Sequence, residues 1–336
     1  MSPMELIKPK RLSEGDTILV VAPASSMSGL NEEAIERGIN NLEALGLNVV
    51  ISPHAKMVYG HTAGSPRERA GVLMDCFTDA EVDDIMTVWG GFNSNDVIEY
   101  LIYEEIGDNP KVFIGYSDIT ILNTVLLEKA GLVTFQGPAF VTMTHSFLMD
   151  YTVEEFRKVV MDGEVPHVLK AHPTFIDDPF YYNHPEKSPE EKPNPGWDVI
   201  TPGTSEGRII GGNLGTLLAL AGTPYWPHLE GRILFLEDDE AESTASIARY
   251  FRQLRHMGVF EEIAGLLIGR CPEVVGFNDR DSLRMILEDC AGGYDFPIVS
   301  GLDFGHTNPL ITIPVGIRVK INADKKQIEF LESGVR

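Results

Sequence analysis

Short apolar runs alternate along the first half of the chain with segments whose apolar positions recur every three or four residues. Thr17–Ala22 (TILVVA) reads as a buried strand, and Asn31–Leu45 carries Ile35, Ile39 and Leu42 at helical spacing before Gly46. Asn48–Ser52 is again strand-like. Ser65-Pro66-Arg67-Glu68 joins a capping box to a proline at the first helical position, predicting a helix to about Phe77. Asp84–Trp89 predicts a third strand, followed by Gly90-Gly91-Phe92-Asn93-Ser94 and a helix through Val97, Ile98 and Leu101. A fourth strand, Val112–Tyr116, stops at Ser117-Asp118, where Ile119, Leu122, Val125 and Leu126 take up helical spacing with no intervening loop.

Strands and amphipathic helices in this alternation specify an α/β fold: a doubly wound, Rossmann-like, mostly parallel sheet covered on both faces. It is expected over residues 1–165, which end in a helix near Thr152–Val160. Between Pro173 and Pro202 lie seven of the chain's 21 prolines, with Tyr181, Tyr182, Asn183 and Trp197 among them. That texture predicts an irregular crossover, residues 166–207, whose far end Pro195-Gly196-Trp197 folds over a ligand. Residues 208–336 resume as a second α/β domain with a mixed sheet. Its strands are Arg208–Ile210, Arg232–Leu236, Gly265–Gly269 and Pro297–Leu302, its helices Ser243–Met257 and Asp281–Cys290, and Ile317–Ile321 with Gln327–Leu331 form a closing hairpin.

Charge narrows the range of partners. Twenty-seven Lys and Arg against 50 Asp and Glu give a net charge of −23, which repels nucleic-acid backbones and anionic membrane surfaces. No apolar run is long enough to span a bilayer, and MSPMELIKPKRL lacks the apolar core of a signal peptide, so a cytoplasmic protein is expected. Cys76, Cys271 and Cys290 are odd in number and show no C-x-x-C spacing, which favours reduced core thiols over a disulfide framework or a zinc knuckle. The first strand is followed by Ala22-Pro23-Ala24-Ser25-Ser26 and not by G-x-G-x-x-G, so a dinucleotide cofactor is not expected.

Ligands of open α/β sheets bind beyond the carboxyl ends of the strands, where Gly90-Gly91 and Ser117 both fall. Ser117 reads either as a helix cap or as a nucleophile on a strand-to-helix elbow, with the following amide placed for an oxyanion. Gly90-Gly91 is either a tight turn or a backbone left open to a substrate. A serine nucleophile needs a base held by a carboxylate. Glu237 closes the apolar run RILFLE and heads the acidic stretch Glu237–Glu242, whose other reading is a solvated charge run before a helix. His306 follows a strand in a glycine- and proline-bounded turn, whereas His256 belongs to a helix and His228 follows Trp226-Pro227. Two rival readings remain: a metallohydrolase built on Asp238, Asp239, Glu240 and Glu242, and a non-catalytic binder of peptides or nucleosides.

Taken together, GYSD at Gly115–Asp118, WGGFNS at Trp89–Ser94, IIGGNLGTL at Ile209–Leu217, LFLED at Leu234–Asp238 and FGHTNP at Phe304–Pro309 resemble the serine LD-carboxypeptidases and their relatives, the microcin C immunity peptidases. The likeness runs from about Val20 to Val319. It implies a Ser117–Glu237–His306 triad, an oxyanion hole from the amides of Gly91 and Asp118, a two-domain architecture with the active site in the inter-domain cleft, no metal or other cofactor, and a homodimer. Two substrate classes compete within the family: muropeptides that lose a terminal D-amino acid, and aminoacyl-nucleotides of the microcin C type, cut at the aminoacyl amide. The extended loop before GGNLGTL favours the second. Trp197 and Asn213 are then the candidate substrate contacts, Trp197 either stacking on a nucleobase or anchoring its loop to the core.

Overall fold

The computed structural model describes residues 6–177 and 188–336; Tyr181, Tyr182 and Asn183 of the crossover lie outside the described residues. The alternation in the first half produces strands β1 (Thr17–Val21), β2 (Asn48–Ile51), β3 (Asp84–Thr87), β4 (Val112–Gly115) and β5 (Thr134–Gln136). They pair in parallel in the order β2-β1-β3-β4-β5. β3 and β4 are buried along their whole length, as expected of strands covered on both faces. The strand order reverses at β1, so the loops after β1 and β3 diverge there and leave a crevice at their carboxyl ends.

Helices α1 (Glu32–Glu43), α2 (Pro66–Thr78), α3 (Tyr103–Asp108) and α4 (Thr120–Ala130) connect these strands. Ser65 and Glu68 form the reciprocal capping box at α2. The helix expected through Val97, Ile98 and Leu101 is instead two 3₁₀ turns, Ser94–Asp96 and Ile98–Tyr100. Asn93 makes no side-chain cap there, and the Ser94 hydroxyl donates to the Asp118 carbonyl at 2.6 Å, so no α-helical first turn nucleates. The helix near Thr152–Val160 is α-helical over Asp150–Phe156 and wider, π-type, over Arg157–Asp162.

The crossover is more regular than its composition suggests. It contributes β6 (His167–Val168), β7 (Thr174–Ile176), β8 (Glu191–Pro193) and β9 (Asp198–Thr201). Pro173, Pro195 and Pro202 flank these strands, and Pro193 ends an edge strand, so none withholds an amide from a central ladder. The second sheet adds β10 (Thr204–Asn213), β11 (Ile233–Glu237), β12 (Gly265–Gly269) and β13 (Ile298–Leu302). The last three strands are β14 (Ile313–Val315), β15 (Arg318–Asn322) and β16 (Gln327–Phe330). Its order is β6-β16-β15-β10-β11-β12-β13-β9, parallel from β10 to β13 and antiparallel elsewhere.

β14 leaves this sheet and pairs antiparallel with β5 at the edge of the first. A single apolar cluster therefore spans both sheets, including Phe135 and Phe140 from one side and Phe235 and Phe304 from the other. Gly212, at φ +143°, lies against Thr120 of α4, where a Cβ would strike the threonine hydroxyl. The next amide, Asn213, donates to that hydroxyl at 2.8 Å, tying the end of β10 to the helix that follows Ser117.

Candidate active site

Three strand ends of the first sheet build one wall of a cleft of about 270 Å³. Ser25 arrives after β1, Gly90 and Gly91 after β3, and Tyr116 and Ser117 after β4; Gly305–Asn308, after β13, face them with Glu240. Ser117 occupies the left-handed region at φ +64°, a conformation that costs a non-glycine residue roughly 1–2 kcal/mol and that the surrounding packing must hold. Its side chain caps no helix amide, so of the two sequence readings the geometry is that of the elbow.

The glycine pair is pressed against this corner. A Cβ at Gly90 would lie 2.7 Å from the Ser117 Cβ and 2.8 Å from both the Ser117 Oγ and the Asp118 nitrogen, while one at Gly91, at φ +146°, would collide with the Ser25 hydroxyl. Gly90→Ala is therefore expected to displace either the elbow or its own loop and to lower kcat on the order of 10²–10³-fold, the loss seen when an oxyanion donor is removed. Steady-state kinetics check this, with circular dichroism showing that the fold persists.

A buried network fixes both loops. Asp118 accepts from the Ser94 amide at 2.8 Å, and burial raises its pKa even though the Ser94 bonds and the Arg69 charge pull it down. Arg69, 2% exposed, donates to the carbonyls of Gly64 (3.0 Å), Pro23 (2.6 Å) and Asn93 (2.8 Å) and pairs with Asp96 at 3.1 Å. One guanidinium thus holds the segments after β1 and β3 at a set spacing beneath the cleft.

From the second sheet, Glu237 ends β11 with its side chain buried, and its Oε2 meets the His306 Nδ1 at 2.7 Å. The His306 ring is 12% exposed and lies 5.2 Å from the Tyr116 ring. Burial disfavours its charge, but Glu237 at contact and the carboxylates of Asp239 and Glu240 outweigh this and carry its pKa up to about 9. The ring is then mostly protonated at neutrality. With this ring as the general base, kcat/KM is expected to climb with pH, reach half its plateau near pH 9 and level off only above that, as a pH–rate profile under substrate-limiting conditions would record.

Asp238 is pushed up to about 8 by burial and by neighbouring Glu237 and Asp239, so near neutrality it carries a proton and adds little charge beside Glu237. His145, also lining the cleft, is pushed down to about 3 by burial and by the Arg37 charge and stays neutral.

Ser117, His306 and Gly91 thus border one cleft, with Asp118 next to the elbow and Glu237 behind the histidine. Asn213 and Trp197 do not line that cleft. Asn213 is 3% exposed, caps the helix Leu214–Leu218 through Thr216, and donates to Asp238 at 3.0 Å. Trp197 is 5% exposed in the core cluster, its carbonyl accepting from Lys326 at 2.6 Å, which is the anchoring arrangement. Two contributors escaped the sequence reading: Arg69, indistinguishable there from any helix arginine, and Ser25, whose only signal was its place after a strand. The crossover also braces the histidine loop, since Ile176 and Asn308 exchange backbone hydrogen bonds of 2.8 and 2.9 Å.

Residues 18–137 match the LD-carboxypeptidase N-terminal domain and residues 206–321 the LD-carboxypeptidase C-terminal domain. The chain belongs to this family of serine peptidases. It is 31% identical to the Microcin C7 self-immunity protein MccF of Escherichia coli over 96% of this chain and 94% of that one. It is equally 31% identical to a Bacillus subtilis protein named "Probable murein peptide carboxypeptidase", over 98% of this chain and 95% of that one. The solved structure of MccF in complex with aspartyl sulfamoyl adenosine superposes with a TM-score of 0.91 at 29% identity, covering 98% of this chain and 100% of that one. No helix among the described residues is long and apolar enough to cross a membrane.

Proposed function

We propose that the protein hydrolyses the amide bond of aminoacyl-nucleotides of the microcin C type through a Ser117–His306–Glu237 triad. The observation that carries the triad is the buried carboxylate–imidazole pair at 2.7 Å facing a left-handed serine across one cleft. Ser117 attacks the acyl carbonyl while His306 takes the hydroxyl proton, and the amides of Gly91 and Asp118 receive the oxyanion. His306 then protonates the leaving nitrogen. Water, activated by the same imidazole, releases the amino acid from the acyl-serine and restores the enzyme. Glu237 holds the ring by Nδ1 and offsets its positive charge.

The ligand named in the MccF structure supports the nucleotide class, and the murein peptide relative supports the second reading, removal of a terminal D-amino acid from a muropeptide. Purified protein offered alanyl sulfamoyl adenosine and a murein tetrapeptide separately is expected to release alanine from the first, read by mass spectrometry. Release of D-alanine from the tetrapeptide alone would replace the first reading with the second.

A further inference from the structure

The charge of the cleft bears on which acyl group it accepts. Among the described residues lining it, Glu240 is the one carboxylate and there is no lysine or arginine. Arg37, whose charge reaches His145, is not in the lining, and its Nε donates to the Thr144 carbonyl at 3.0 Å. The Glu240 Oε2 is shielded from solvent and has no hydrogen-bond partner among the described residues. A shielded carboxylate oxygen without a donor is costly unless something supplies one. The same carboxylate acts through space on the His306 ring, with which it shares the cleft lining.

Resting on the reading above, we propose that Glu240 is the recognition residue for a protonated amine on the acyl side of the scissile bond, the free α-ammonium of an aminoacyl group. An α-ammonium sits one carbon from the carbonyl that Ser117 attacks, and Ser117 and Glu240 line the same cleft. It carries three N–H donors for an acceptor that lacks one, and its charge offsets a carboxylate held partly out of water. An acyl residue whose α-nitrogen is locked in a peptide bond, as inside a muropeptide, brings no charge to that spot. Glu240 therefore selects for aminoacyl groups with a free amino end.

Binding isolates this role from turnover. In a Ser117→Ala background, alanyl sulfamoyl adenosine and its N-acetyl counterpart are titrated calorimetrically, with and without Glu240→Gln. The free amine is expected to bind at least about tenfold more tightly than the acetylated compound when Glu240 is present, the scale of one charge-assisted hydrogen bond. Glu240→Gln should remove most of that preference and leave the affinity for the acetylated compound nearly unchanged, and Glu240→Asp should restore part of it. Equal affinities with Glu240 present, no binding of either compound, or an equal weakening of both in Glu240→Gln would each overturn the assignment. Hydrolysis of alanyl sulfamoyl adenosine by the unmodified protein, measured separately, judges the proposed reaction, so the two can fail independently.

Discussion

Ser117→Ala is expected to reduce kcat by about 10⁴–10⁶-fold while leaving the fold in place, the range set by removing the nucleophile of other serine hydrolases. The substitution deletes one oxygen from a side chain that caps no helix amide, and alanine bears about the same left-handed strain at φ +64°. Ser117→Gly makes the complementary case. It is equally inactive, yet it should melt no lower than the parent. Relief of strain of roughly 1–2 kcal/mol offsets the added freedom of glycine in the unfolded chain, about 0.4–1 kcal/mol. Turnover assays and thermal melts of the pair separate loss of chemistry from loss of fold, and near-parental turnover in either variant would place the nucleophile elsewhere.

Glu237→Gln is expected to lower kcat by roughly 10⁴-fold with KM little changed, as when the carboxylate of a triad becomes its amide. The amide is nearly isosteric, but it no longer demands the tautomer that leaves the opposite ring nitrogen able to accept a proton. A second readout distinguishes this from local damage. Glu237 is the strongest of the groups that raise the His306 pKa to about 9, so with its charge removed the rise of kcat/KM with pH should move to lower pH. A variant that lost rate and kept the parental pH profile would mean that the carboxylate does not act through the ring.

Much of this arrangement was legible in the chain, because the signals concerned were local. A strand running into a helix at Ser117, an apolar run ending in Glu237 and a polar turn after Pro297–Leu302 each follow from a few neighbouring residues, and so did the capping box at Ser65. What could not be read depends on contacts far apart in sequence. Arg69 matters because Pro23, Asn93 and Asp96 converge on it, and no pattern within α2 announces that. Trp197 was a candidate stacking ring because the resemblance implied an extended, aromatic-bearing loop there, yet β9 follows it directly and the ring lies in the core, with β9 paired to β13, more than ninety residues later. Proline content misled for the same reason: edge and flanking positions tolerate proline, and only the sheet order shows which positions are edges.

The route of the chain after β13 matters for control of the enzyme. Within fifteen residues it passes from the second sheet, through His306, to β14 on the first, so the histidine rides on a strap fixed at its two ends to different sheets. The gap between imidazole and hydroxyl therefore depends on the spacing of the two sheets, whereas Glu237, seated in the same sheet as β13, keeps its place beside its partner ring.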